Sequence, residues 1–151
     1  MIIKQIASLV NEKIDTHYLN KSNYISTENM VSNCGGIVEC SSFPDAKVTK
    51  FLANDILLSN IRPYFKKLWF ASCDGGCSND VICIRANGCL PKYLYYSLCT
   101  DNFIDSFSAS SKGTKMPRGD KKALLDYVIP DSSIEQQQHI VDSMENKYAN
   151  L

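Results

Sequence analysis

The stretch AKVTKFLANDILLSNIRPYFKKLWFAS, residues 46–72, holds three short apolar runs separated by turn residues, and it decides the predicted fold. Runs of this length that are rich in β-branched and aromatic residues are typical of strands. The same pattern continues on both sides, and six strands are predicted, at Asn23–Ser26, Gly36–Cys40, Ala46–Phe51, Asp55–Ile61, Lys67–Ser72 and Val81–Arg85. Turn residues such as Asp74-Gly75-Gly76 separate these runs. Strands in such a series predict a curled, mostly antiparallel sheet or a partial barrel.

Helical patterns flank the strands, so the predicted fold class is α+β. Ile2, Ile6 and Leu9 recur at helical spacing and predict a short amphipathic helix that ends near Asn11. Pro91 suits the first position of a helix. The further predicted elements are one or two helices after Pro91, a helical turn at Lys121–Leu125 and a strand at Tyr127–Ile129.

The C-terminal segment has a different character, and we divide the chain into a domain at 1–131 and a helix at 132–151. Ser132 and Glu135 have the spacing of a capping box that opens a helix. Apolar residues then follow a heptad pattern, with Gln137 as its polar exception. Two interpretations stay open, a helix that pairs with a partner helix and a helix that packs back on the domain. The heptad positions are Ile134, Val141, Met144, Tyr148 and Leu151.

Composition narrows the class of protein. The 151 residues fit one domain, and 44% of them are hydrophobic, which is enough for a core. The formal net charge is zero, which excludes a histone-like binder whose affinity comes from overall charge. The N-terminus MIIKQIASLV is too short an apolar run for a signal peptide, and no stretch has the length of a membrane span. We therefore expect a cytoplasmic protein with no membrane partner.

The seven cysteines raise the question of a metal or disulfide site. They contain no C-x-x-C pair, and His17 and His139 lie far from them in sequence. A structural zinc is the alternative, but only Cys73 and Cys77 come near the spacing of ligands. The sequence predicts reduced, mostly buried thiols and no metal site.

The segment SSKGTKMPRGDKK, Ser110–Lys122, is the main candidate for a binding site. It holds five basic residues against one acid, with two glycines and a proline. Such a segment predicts an exposed, shaped loop with donors for phosphate. Its arginine, Arg118, offers a planar guanidinium that matches a phosphate or a guanine edge. The alternative is a solvated charged loop without a ligand.

A second basic and aromatic stretch, Arg62–Lys67, follows a predicted strand end, and we expect it to line one face with the loop. Lysines suit phosphates and arginines suit base edges. Asparagine suits adenine, although Asn79 is expected to cap a turn and Phe65 to lie in the core. The candidate DNA-binding residues are Arg62, Tyr64, Lys66, Lys67, Lys112, Thr114, Lys115, Arg118, Lys121, Asn60 and Asn29.

Two enzyme hypotheses fit the sequence poorly. Asn60-Ile61-Arg62-Pro63-Tyr64 is one residue too long for the N-P-P-Y motif of adenine methyltransferases, and a glycine-rich cofactor loop after a strand is missing. Carboxylates for a metal-dependent nuclease are too scattered to form a motif. We therefore predict no catalytic residue and no cofactor in this chain.

Six pieces of the sequence, taken in order, carry a resemblance to a known family. They are Asn23–Met30, Asn54–Ala71, Gly75–Ala86, Pro91–Leu98, Ser110–Leu124 and Ile129–Ile140. Together they resemble the target recognition domain of the specificity subunit of type I restriction-modification systems, and the resemblance covers nearly the whole chain. Family members commonly carry glycine where Asn54 stands in this sequence.

The resemblance implies a reader of double-stranded DNA rather than an enzyme. In this family each recognition domain reads one half of a split target. Separate methyltransferase subunits carry S-adenosylmethionine, and separate motor-nuclease subunits use ATP and Mg²⁺. A full-length specificity subunit has two such domains, so this chain is expected to be a half-subunit that dimerises through its C-terminal helix, a fragment, or a silent cassette. The alternative is a protein-interaction module that uses the same helix.

Overall fold

The computed structural model describes residues 1–113 and 115–149. Within these residues the strands are β1 (Ala7–Leu9), β2 (Lys13–Asp15), β3 (Tyr24–Ile25), β4 (Lys47–Phe51), β5 (Ile56–Ser59), β6 (Leu68–Phe70), β7 (Gly75–Cys77) and β8 (Val81–Ala86). The helices are α1 (Ile3–Ile6), α2 (Pro91–Leu98), α3 (Asp101–Ala109), α4 (Lys121–Asp126) and α5 (Ile134–Ala149). Single turns of 3-10 helix lie at Thr16–Tyr18, Thr27–Asn29 and Pro63–Phe65.

The strands form two four-stranded sheets, which stay open over the described residues. The first sheet has the order β1-β8-β5-β6 and is antiparallel throughout. The second has the order β2-β4-β7-β3 and is antiparallel except for the parallel pair β3 and β7. The predicted α+β class with mostly antiparallel strands is confirmed.

Strand β5 is central to the packing because all four of its residues are buried. Successive side chains of a strand point to opposite faces of the sheet. Ile56 and Leu58 therefore join the core under the helices, while Leu57 joins a separate core with Phe51 and Ile25. A strand that is buried on both faces explains the unbroken apolar run in the sequence.

Strand β7 corrects the prediction of a turn at Asp74-Gly75-Gly76, since Gly75 and Gly76 form a strand. A Cβ atom built on Gly75 would lie 2.2 Å from the carbonyl oxygen of Asn23. The close approach of the neighbouring chain therefore requires glycine at this position.

Three further predictions are wrong in extent. The N-terminal helix ends at Ile6, because Ala7–Leu9 pairs with β8 instead. The strand predicted at Gly36–Cys40 is reduced to one bridge between Met30 and Ile37, and the strand predicted at Tyr127–Ile129 is reduced to one bridge at Val128. Asn54, by contrast, has a φ of 75°, in the left-handed region that favours glycine, which is the residue that the resemblance implies at this position.

The helices α2, α3 and α4 cover one face of the first sheet. Their buried residues Leu94, Phe103, Phe107 and Leu124 share one core with the strands. These elements were predicted after Pro91 and at Lys121–Leu125, and their bounds match closely.

Helix α5 packs back on α2, with Val141 buried between them. Gln137, the polar exception of the heptad pattern, is only 1% exposed. Its Oε1 accepts a hydrogen bond from the backbone N–H of Leu90 at 2.9 Å, and its Nε2 donates to the carbonyl of Ser132 at 3.0 Å. A buried amide whose oxygen and nitrogen are both hydrogen-bonded helps to fix the position of the helix. The polar exception is thus one of the residues that attach α5 to the domain.

The capping box of α5 lies one residue later than predicted. Ser133 Oγ accepts from the N–H of Gln136 at 3.1 Å, and Gln136 Oε1 accepts from the N–H of Ser133 at 2.9 Å. Ser132 instead contacts the hydroxyl of Tyr93. Ile134 is 56% exposed, so the heptad residues do not form one buried stripe. The Tyr148 side chain and Leu151 lie outside the described part of the chain, and the division at residue 131 stays a prediction.

Asp55 forms a buried polar centre inside the first sheet and is 2% exposed. Its two carboxylate oxygens accept hydrogen bonds from Nε and Nη2 of Arg85, at 2.9 and 2.8 Å. The N–H of Leu52 and the thiol of Cys83 donate to the same carboxylate. The hydrogen bonds to Asp55 raise the pKa of the Arg85 guanidinium above its ordinary value. This ion pair joins β5 to β8.

No helix within the described ranges combines the length and the apolar content that crossing a membrane requires.

Candidate nucleic-acid interface

The basic segment folds into a loop that is closed by its own backbone. Lys112 and Arg118 form an antiparallel bridge, and each N–H donates to the carbonyl of the other at 2.9 Å. Between them, Lys115 and Met116 are exposed. Thr114, a candidate DNA-binding residue, lies outside the described residues. The loop therefore has a defined frame at its base.

This loop is attached to the end of β5. Ile61 pairs with Arg118, and the N–H of Arg62 donates to the carbonyl of Pro117 at 2.8 Å. The bonds extend the first sheet toward the loop and bring together the two basic stretches. The sequence analysis expected this juxtaposition on one face. Binding of DNA by these residues stays a prediction.

The base of the loop is packed tightly against α3. A Cβ atom built on Gly119 would lie 2.2 Å from the ring of Phe107, so this position accepts only glycine without displacement. Ser110 Oγ accepts from the N–H of Asp120 at 3.0 Å and donates to the carbonyl of Phe107. The Asp120 side chain in turn caps α4. These contacts give the exposed loop a rigid support.

The second stretch presents two aromatic rings to solvent. Tyr64 and Phe65 are 54% and 42% exposed, and their ring centroids lie 5.0 Å apart. The prediction that Phe65 lies in the core is wrong. The physical reason is the backbone around it, because Arg62 and Lys66 both have positive φ, at 49° and 55°, and turn the segment outward.

A neighbouring loop supports this turn from behind. The N–H of Asn33 donates to the carbonyl of Phe65 at 3.1 Å, and the N–H of Cys34 donates to the carbonyl of Lys66 at 2.8 Å. The backbone that carries the exposed aromatic rings is therefore hydrogen-bonded to this neighbouring loop.

The cations of the two stretches fall into two groups. Lys66 Nζ pairs with Asp101 at 3.1 Å, and Lys67 Nζ donates to the carbonyl of Thr27 at 2.8 Å. Both lysines therefore support the turn and are less available to a ligand. The exposed cations are Arg62, Lys112, Lys115, Arg118, Lys121 and Lys122, and of these Lys122 pairs with Asp126 on its own helix at 3.0 Å.

Arg118 meets an acidic partner that the sequence analysis missed. Its Nη2 donates to Oδ1 of Asp80 at 3.0 Å, and both side chains are roughly half-exposed. The carbonyl of Asp80 accepts from the N–H of Asn60 at 2.8 Å. Asp80 is part of an ordinary turn in the sequence, so no local pattern indicated this contact.

The two candidate asparagines are buried. Asn60 is 8% exposed, and its Oδ1 is enclosed with no hydrogen-bond partner among the described residues. Asn29 is 4% exposed, and its Nδ2 donates to the carbonyls of Tyr24 and Val38 while its Oδ1 accepts from Ser26. Asn29 therefore holds the 3-10 turn at Thr27–Asn29 together, and we leave it out of the interface.

A polar groove extends the surface beyond Lys121. It has a volume of about 380 Å³ and is lined in part by Lys13, Thr49, Asn79 and Lys121. Lys13 was not predicted, because it lies at the opposite end of the sequence from the loop. The second sheet brings it close through the pairing of β2 with β4.

Comparison with known proteins shows which proteins the chain resembles in sequence and in fold. Over 100 residues the chain is 30% identical to the specificity subunit of the type I restriction enzyme EcoDI of Escherichia coli. The crystal structure of the HsdS subunit from Thermoanaerobacter tengcongensis matches 99% of the chain with a TM-score of 0.73 at 19% identity. The chain resembles the target recognition domain of a type I specificity subunit. This confirms the resemblance predicted from the six sequence pieces.

Two further solved structures share the fold of the chain. The S subunit of a type I restriction-modification system from M. genitalium matches 96% of the chain with a TM-score of 0.66 at 16% identity. A structure that describes complex assembly and conformational transition of the type I R-M system matches 99% with a TM-score of 0.69 at 14% identity. No protein-family model matches the sequence.

The chain spans only part of each specificity subunit that it matches. The match covers 66% of this chain and 22% of the EcoDI subunit. It covers 42%, 38% and 37% of the three solved chains.

The seven cysteines are free thiols, and all of them lie within the described residues. No group of three His, Cys, Asp or Glu side chains is arranged to hold a metal ion in residues 1–113 and 115–149. Burial raises the pKa of Cys77 to about 12, which keeps this thiol protonated in the core.

Cys34, behind the aromatic turn, is expected to be the first of the seven cysteines to react with iodoacetamide near neutral pH. A hydrogen bond from the Cys99 thiol and the nearby Lys66 ammonium lower the pKa of Cys34, whereas burial raises the pKa of Cys73 and Cys89. A lower pKa gives more thiolate at a given pH. Peptide mass spectrometry after brief labelling checks the order of reaction.

Two variants complete this test. Lys66→Met removes the cation and is expected to slow labelling of Cys34 at neutral pH, and Cys34→Ser is the blank. Faster labelling of Cys73 than of Cys34 in the unaltered protein would contradict the prediction.

Proposed function

We propose that this chain reads one half of a split DNA target, as the recognition domain of a type I restriction-modification specificity subunit. The observation that carries the proposal is the attachment of the basic loop to the end of β5. Backbone hydrogen bonds there place Arg62, Lys112, Lys115 and Arg118 beside two exposed aromatic rings. The specificity-subunit fold of the chain supports the same function.

The surface divides into parts with different tasks. Lys112, Lys115 and Lys121 are exposed point charges that suit phosphates, which position a protein on the duplex. Arg118 suits a base edge in the major groove. Tyr64 offers an exposed ring and a hydroxyl for the sugar-phosphate backbone or a base. Lys66 and Lys67 hold the turn that carries Tyr64.

Catalysis belongs to partner subunits under this proposal. A methyltransferase subunit binds S-adenosylmethionine, and a motor-nuclease subunit uses ATP and Mg²⁺. This chain recognises the DNA sequence and so directs these subunits to their target. A second recognition domain, from another copy or from the same longer protein, reads the other half of the target.

A second candidate function is contact with another protein through α5. Ile134 and Ile140 are 56% and 40% exposed on this helix, and exposed aliphatic side chains favour protein contacts. Under this alternative the basic loop is only solvated, and affinity for DNA does not depend on it.

The salt dependence of DNA binding separates the two functions. With about three to five phosphate contacts, the logarithm of the affinity for a short mixed-sequence duplex falls against the logarithm of salt concentration with a slope of roughly −3 to −4.5. Lys112→Ala removes one contact and is expected to flatten the slope by about 0.9. Fluorescence anisotropy over a salt series measures both values.

The matched control is Lys147→Ala, since Lys147 is an exposed lysine on α5, remote in sequence from both basic stretches. This control is expected to leave the slope unchanged. A folded protein with a slope of zero, or an equal change in both variants, would contradict the proposed interface.

A further inference from the structure

We propose that Asp80 is a positioning residue for base recognition, and that it orients the guanidinium of Arg118 toward a guanine in the DNA half-site. The inference rests on the proposed function and adds to it the base that is read and the residue that sets the orientation. It starts from the contact of 3.0 Å between Arg118 Nη2 and Asp80 Oδ1.

Both backbones of this pair are held in place. The carbonyl of Asp80 is bonded to Asn60 at the end of β5, and the N–H of Val81 closes the turn by donating to Ser78 at 3.0 Å. Arg118 exchanges two backbone bonds with Lys112 and is fixed beside the same strand end. The ion pair therefore connects two rigid supports, and its direction is set by the fold.

A contribution to folding stability does not explain why the Asp80 carboxylate lies beside Arg118. Both side chains are roughly half-exposed, at 47% and 42%, and an exposed ion pair contributes little to folding. A negative charge beside the basic loop also repels DNA phosphates. If Asp80 orients Arg118 for base recognition, this benefit compensates for the repulsion between its carboxylate and the phosphates.

The chemistry of the free donors points to guanine. A guanidinium has five N–H donors in a fixed planar arrangement. Among the described residues its side chain donates only to Asp80, through one Nη2 hydrogen, which leaves donors on its other edge. Guanine presents two acceptors, O6 and N7, on its major-groove edge, whereas adenine presents one acceptor and one donor. A guanidinium that is held by a carboxylate on one side therefore matches guanine on the other.

Holding the side chain in advance also reduces the cost of binding. A long side chain that becomes ordered at an interface loses rotamer freedom. The contact with Asp80 removes part of that freedom before DNA arrives. Loss of the carboxylate also removes its repulsion of DNA phosphates, so it is expected to weaken discrimination between bases without lowering total affinity.

The test is a binding selection from a pool of randomised duplexes at low salt, with the unaltered chain, Asp80→Ala, Asp80→Asn and Arg118→Ala. We expect the unaltered chain to enrich a half-site with one position fixed as G, and Arg118→Ala to relax that position by about 5- to 150-fold. Asp80→Ala is expected to relax the same position while total affinity stays equal or rises. Asp80→Asn keeps an acceptor oxygen and is expected to relax it less.

Asp45→Ala is the matched control, because Asp45 is an exposed acid outside both basic stretches. Its selected half-site should be unchanged. Circular dichroism of each variant confirms folding before the selection.

The outcomes separate the inference from the proposed function. If the unaltered chain enriches no sequence and binds no duplex, the proposed function fails. If it enriches a half-site that Asp80→Ala reads with the same guanine preference, the inference alone is overturned. An equal loss of affinity for all duplexes in Arg118→Ala makes Arg118 a phosphate contact and also overturns the inference.

Discussion

Replacement of Asp55 by alanine is expected to lower the free energy of unfolding by about 3–5 kcal/mol, because it removes a buried carboxylate and leaves the partly buried Arg85 guanidinium without its partner. Asp55 is 2% exposed and binds Arg85 through both carboxylate oxygens. The same carboxylate accepts from the N–H of Leu52, which also loses its partner. Urea denaturation followed by circular dichroism measures the change.

The control for this prediction is Asp45→Ala, which removes an exposed acid and is expected to change stability by less than about 0.5 kcal/mol. Arg85 is 35% exposed, so water solvates part of the stranded guanidinium. A loss below about 1 kcal/mol for Asp55→Ala would show that this solvation replaces the ion pair, contrary to the prediction.

Replacement of Phe107 by alanine is expected to cost about 3–5 kcal/mol of stability, through lost burial and the cavity that remains. Phe107 is 1% exposed and stacks on Phe103 with ring centroids 5.6 Å apart. It also supports Gly119 at the base of the basic loop. We therefore expect the variant to lose both stability and order in the loop, measured by denaturation and by hydrogen exchange at the amides of Lys112 and Arg118.

The matched control is Phe65→Ala, which removes an exposed ring of the same type. It is expected to change stability by less than about 0.5 kcal/mol. If Phe65→Ala destabilised the chain as much as Phe107→Ala, the assignment of Phe65 to the exposed surface would be wrong.

The strands and helices that could be predicted are those with a repeated hydrophobic pattern within their own sequence. The apolar runs that became β4, β5, β6 and β8 were found, and so were the helices after Pro91. Strands β1, β2 and β7 were missed because each has three residues and is defined by partners far away in sequence. In β7 the glycines indicated a turn, whereas the approach of Asn23 to Gly75 and of Leu19 and Val48 to Gly76 favours glycine within a strand.

The candidate DNA-binding site could also be predicted only in part from the sequence. Composition alone indicated the loop and the second basic stretch, and hydrophobic patterning placed the latter at a strand end. The contact of Asp80 with Arg118 depends on the arrangement of three separate segments, so no local pattern shows it. Burial of Asn29 and exposure of Phe65 likewise follow from backbone turns and not from residue type.

The basic loop owes its frame to bonds between main-chain atoms, namely those that join Arg62 to Pro117 and Lys112 to Arg118. Main-chain bonds place few demands on the side chains that the same residues carry. Substitutions at residues 112, 115 and 118 can therefore accumulate without loss of the scaffold. Under the proposed function, single substitutions at these positions are expected to change the preference for DNA sequence while the fold is kept.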